Sequence, residues 1–144
     1  MTTPQIHSPS PHEAASALDA FLSFQEILDT GRLGDRLRAQ VSLALDEIEG
    51  CPLCRRRHFE EAVDLEISAA EIARNRRGGS EDARVRAALS FARFVATSDG
   101  DVDEGDLAAP RSAGFEDDEI AELVAMSALH CLHCLHSATH GAAP

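Results

Sequence analysis

Apolar residues in this chain recur every three or four positions and never alternate over a useful length, which predicts helices and no strands. Ser10, Pro11 and Glu13 supply an N-cap, a first-turn proline and a capping-box acid for a first helix that Gly31 closes. Leu33, Leu37, Val41, Ala44, Leu45 and Ile48 then mark one helical face, and Gly50 stops that run. Pro52 suits the first turn of a third helix reaching about Val63, with Phe59 and Ala62 on its apolar side. Ser68 and Glu71 form a capping box for a short helix ended by Gly78 and Gly79. A longer segment from about Glu81 to Ala96 turns Ala87, Leu89, Phe91, Phe94 and Val95 to the core, and a short helix around Asp106 is interrupted by Pro110. A last helix runs from about Asp117 to Thr139. The expectation is an all-α domain of about six helices over residues 10–140, between a disordered leader at 1–9 and a tail at 141–144.

Composition narrows the function. With 144 residues, 44% of them hydrophobic, the chain can bury one core and not two. A formal charge of -12 repels phosphate backbones and anionic lipid, so neither nucleic acid nor a membrane is an expected partner. The first dozen residues have neither a basic start nor an apolar stretch, which points to the cytoplasm. In a reducing compartment, four cysteines favour catalysis or metal binding over structural disulfides.

Those cysteines fall in two pairs. The first is in "EGCPLCRRRHFEEA", residues 49–62, where Cys51, Cys54 and His58 follow one another at helical spacing. Positions three and four apart meet on a helix surface, so the two thiols can face each other with the imidazole one turn beyond. Two local effects can lower a thiol pKa there. The helix N-terminus favours Cys51, whereas the imidazole favours Cys54. Burial of both thiols as small core residues is the alternative to chemistry.

The order of elements, from "AFLSFQEILDTGRLGDRLR" through "GCPLCRRRHFEEA" and "ISAAEIARNRRGG" to the last helix, resembles the carboxymuconolactone decarboxylase and AhpD-like alkylhydroperoxidase superfamily over residues 16–140. The resemblance implies a thiol-dependent peroxidase or disulfide reductase that needs no cofactor and no metal. It implies a peroxide substrate, a thiol or dithiol reductant, and assembly as trimers or hexamers. Carried over, Cys54 attacks the peroxide, Cys51 resolves the sulfenic acid, and His58 belongs to the proton relay. One position departs from the pattern: the relay glutamate usual twelve residues before the first cysteine is Ala39 here, followed by Gln40. Glu47, one turn before Cys51, can substitute only if its side chain turns toward the thiols. A carboxylate lacking a bridging proton would instead raise their pKa.

The second pair lies in "HCLHCLHSATH", residues 130–140. On a helix His133, His136 and His140 share an arc of roughly 60°, while Cys131 and Cys134 fall on the side of Ile120, Leu123 and Val124. Core packing, a metal-binding histidine stripe, and a last helix that brings Cys134 or His130 to the first motif are all open readings. The acidic stretch from Asp99 to Gly105 lacks the glycine and glutamate positions of a calcium loop and reads as a solvated connector. Two alternatives to the redox enzyme remain: a zinc protein built from the two cysteine pairs or the histidine stripe, and a carboxymuconolactone-type lyase, against which the intact cysteine pair argues.

Overall fold

A computed structural model of the protein describes residues 11–140, with side chains described over 19–135. Seven α-helices and no strand occur among these residues: α1 (Pro11–Asp29), α2 (Asp35–Glu49), α3 (Pro52–Asp64), α4 (Ala69–Arg76), α5 (Ala83–Thr97), α6 (Ala108–Ser112) and α7 (Asp117–His140). The expected N-cap Ser10 lies outside the described residues.

Helix α2 is the axis of the molecule, packed against α3, α4, α5 and α7. It carries two apolar faces where the sequence pattern displayed one. Leu37, Val41, Ala44 and Leu45 meet Ala88, Leu89, Phe91 and Ala92 of α5 and Ile120 and Leu123 of α7, while Ala39 and Leu43 join Ala62, Ile67 and Ile72 around α3 and α4. Val41, Leu43, Leu89 and Leu123 are fully out of water. Each such side chain contributes about 1.5–3 kcal/mol relative to exposure, so this axis anchors whatever its C-terminal end carries.

Several local signals act differently from expectation. Ser68 does cap α4, accepting from the Glu71 N–H at 3.2 Å, but the Glu71 carboxylate turns away to Asn75 (3.0 Å) and to the Ser80 hydroxyl. It thus pins the α4–α5 connection, and no reciprocal capping box forms. Asp82 caps α5, accepting from the N–H groups of Arg84 (2.8 Å) and Val85 (3.0 Å). Pro110 does not interrupt a helix around Asp106. It is a buried residue inside α6, early enough in the helix that the N–H it lacks would have had no partner there.

Helix α7 is held in register by Ser127, whose buried hydroxyl donates to Leu123 O (2.9 Å) and Ala92 O (3.2 Å). Glu122 fastens its other side by accepting from the backbone N–H groups of Arg32 (2.9 Å) and Leu33 (3.2 Å). These two ties fix how far along the bundle the following turns of α7, with His130 and Cys134, are placed.

Candidate active site

The turn between α2 and α3 positions the first cysteine pair. Gly50 adopts φ 70, ψ 16, a left-handed conformation that ends α2 with its N–H donating to Asp46 O. The chain then re-enters a helix at once, with Cys51 as the N-cap of α3 and Pro52 at its first position. Cys51 Sγ accepts from the Cys54 N–H at 3.4 Å and from the Cys54 thiol at 2.7 Å. Cys54 is buried and Cys51 only half-buried, so the reagent-facing sulfur is Cys51.

Electrostatics divide the pair in the same sense. Burial pushes the Cys51 thiol up, but the hydrogen bonds donated by the Cys54 thiol and N–H outweigh it and leave Cys51 below the ordinary thiol value. Burial and then the neighbouring Cys51 push Cys54 up to about 11, and the charge of Asp46 adds to this. The imidazole expected to lower Cys54 is engaged elsewhere. His58 Nδ1 lies 3.0 Å from both carboxylate oxygens of Asp46.

Asp46 is the residue that sequence reasoning missed. It is 1% exposed, and His130 Nε2 of α7 lies 3.1 Å from its Oδ1, close enough for an ion pair though not aligned as a hydrogen bond. Burial pushes the carboxyl up, but His130 and His58 more than offset it, so Asp46 sits below the usual carboxylate range. The two imidazole rings stand 5.4 Å apart on either side of the acid. One signal was available: with Leu43 and Ala39 opposite Val41 and Leu45, α2 is apolar on two faces, and a carboxylate near the end of such a helix is at risk of burial.

Glu47 does not take that place. It turns outward to Arg55 (3.1 Å) and Arg76 (3.9 Å), because α2 sends consecutive side chains about 100° apart and Asp46 already faces the interior. Ala39, at the position where the family resemblance implies an acid, packs in the apolar cluster beside Leu43 and Ala62. Of the second cysteine pair, Cys134 comes to 3.6 Å from Cys54 while Cys131 is exposed. A cavity of 190 Å³ opens beside this site, lined by Arg38, Arg57, His58, Met126, His130 and His133. It reaches the imidazoles and not the sulfurs. His136 and His140 lie on α7, but their side chains fall outside the described residues.

No protein-family model and no curated protein sequence matches the chain. Solved structures do. An uncharacterized peroxidase-related protein from Ralstonia eutropha JMP134, described as an alkylhydroperoxidase AhpD core, superposes with a TM-score of 0.78 at 23% identity, over 92% of this chain and 72% of that one. The chain has the AhpD fold. A peroxidase-related protein from Silicibacter sp. TM1040 shares the AhpD-type fold at TM-score 0.75 and 20% identity, over 96% of this chain and 93% of its own. A protein from Agrobacterium tumefaciens described as a putative antioxidant defence protein AhpD does so at 0.76 and 17%, over 96% and 99%. The described residues of this chain are accordingly all-helical, with a third helix that begins at the cysteine pair.

Proposed function

We propose that the protein is a dithiol oxidoreductase that reduces peroxides through Cys51 and Cys54, with His58 and Asp46 as its proton relay. The observation that carries this reading is the pair of sulfurs at 2.7 Å at a helix start, beside a buried imidazole–carboxylate pair. The peroxidase-related descriptions of the proteins that share the fold point the same way.

The order of attack that fits the geometry is the reverse of the one the family resemblance implies. The Cys51 thiolate, half-exposed and lowered, attacks the terminal oxygen of ROOH, forming an S–O bond as O–O breaks and an alkoxide leaves to be protonated as ROH. Cys54 then loses its proton to His58 and attacks the Cys51 sulfenic acid. The S–S bond forms and the S–OH group departs as water, taking the proton that His58 accepted. Asp46 holds the imidazole in place and stabilises its charged form. An external thiol or dithiol returns two electrons and two protons. Asp46 thereby supplies the acid that is missing at Ala39.

Peroxide should consume two thiols per chain, and dithiothreitol should restore both. Cys54→Ser should stop at a dimedone-reactive sulfenic acid on Cys51, Cys51→Ser should lose the first step, and His58→Ala should slow disulfide closure about 100-fold. A sulfenic acid on Cys54 in Cys51→Ser, with no reaction in Cys54→Ser, would restore the order the resemblance implies. Thiol content unchanged by peroxide would end the peroxidase reading altogether.

A further inference from the structure

The dithiol reaction leaves Cys134 unused, although α7 carries it eighty positions along the chain to within 3.6 Å of Cys54. Cys51, Cys54 and Cys134 bring all three sulfurs within 4.8 Å of one another, and Cys54 and Cys134 are buried. Two uses of a third thiol compete. Exchange with a Cys51–Cys54 disulfide requires attack along the S–S axis, with three sulfurs nearly in line. Sides of 2.7 Å and 3.6 Å closed by a third of at most 4.8 Å make a compact triangle instead, and Cys134 faces the flank of that bond.

A triangle of sulfurs is one face of a three-coordinate centre. Bonds of about 2.3 Å to a common atom hold three thiolate ligands roughly 3.5–4 Å apart. The Cys54–Cys134 separation already fits, and Cys51, on the more open N-cap, has to move by about an ångström. The charge and the number of ligands then select the atom. Thiolates favour soft thiophilic centres, and structural zinc takes four ligands. No fourth side chain joins this triangle among the described residues, because Asp46, His58 and His130 converge on one another as a separate group. Three thiolates around a divalent ion would also leave a net negative charge in a buried place beside the Asp46 carboxylate. A trivalent group-15 centre avoids both problems, since its tris-thiolate is neutral and a lone pair occupies the fourth direction.

We propose that Cys51, Cys54 and Cys134 form a binding site for trivalent arsenic or antimony. Binding exchanges three As–O bonds of As(OH)3 for three As–S bonds and releases three waters that carry the thiol protons, with no change in oxidation state. The site rests on the reduced dithiol of the proposed function and not on its reaction with peroxide.

Titrating the fully reduced protein with sodium arsenite, followed by native mass spectrometry and X-ray absorption at the arsenic edge, tests this. One arsenic should add with loss of three hydrogens, in an all-sulfur three-coordinate shell, and three thiols should disappear from a thiol assay. Cys134→Ser should bind at least about tenfold more weakly, as a two-sulfur adduct that retains a hydroxyl, and Cys131→Ser should bind as the parent does. A two-sulfur adduct in the parent protein, or undiminished affinity in Cys134→Ser, overturns the proposal. The parent protein's adduct reads independently of how any variant folds. A three-sulfur adduct in a protein that peroxide leaves reduced would end the peroxidase reading and leave this one standing.

Discussion

Cys51 and Cys54 differ in what surrounds them, and that difference can be measured directly. Cys51 accepts hydrogen bonds and has some access to solvent, whereas Cys54 is buried beside a carboxylate. Iodoacetamide at neutral pH should therefore alkylate Cys51 before Cys54, as peptide mapping would show, and prior labelling of Cys54 would contradict the assignment. Asp46 has the clearest pH signature. Its carboxyl is lowered in the folded state, so its stabilisation is fully present above the unfolded value of about 3.9 and is lost as pH falls through the folded value. Asp46→Asn should cost about 2 kcal/mol in urea unfolding at neutral pH, with the difference from the parent shrinking toward pH 3. A pH-independent difference would mean that the acid only packs.

At the scale of elements, the site depends on one helix ending and the next beginning within three residues. Gly50→Ala forces a side chain into a left-handed conformation and should cost about 1–2 kcal/mol, while lowering the rate of Cys51 alkylation by displacing the cap. An unchanged rate would show that α3 holds its own start. This junction was legible in the sequence because Gly50 and Pro52 are local signals, each acting within a residue or two. The capping residue Ser68 was legible for the same reason. Asp46 was not, since it meets His58 across the α2–α3 turn and His130 of α7, tertiary contacts that no local period encodes; Cys134 stood among open readings, and only the crossing of α7, 80 positions along the chain from Cys54, decides between them. Glu47 attracted attention by its place in sequence, yet a one-residue offset on a helix separates an outward ion pair from a buried relay.

Across the whole molecule, the most exposed large apolar side chains among the described residues lie on α1 and on the C-terminal half of α7, with Phe59 and Val63 of α3 and Phe94 of α5 less exposed. Leu22, Ile27 and Leu132 are each more than half exposed. We propose that this surface is covered by further copies of the chain, so light scattering at micromolar concentration should give a homo-oligomer, and Ile27→Asp should shift it toward monomer. A monodisperse parent monomer would contradict this. No helix among the described residues is long and apolar enough to cross a membrane. The N-cap of α3 has a wider consequence. The atom that accepts from the Cys54 N–H in the first turn of this helix is also the atom that reacts, so oxidation weakens an acceptor on which backbone order depends. Amide hydrogen exchange should quicken at Cys54 and the next residue or two on oxidation and stay unchanged in α2 and α5. The redox history of the protein would then be recorded as local fraying, a mechanical trace that another molecule can sense without touching sulfur.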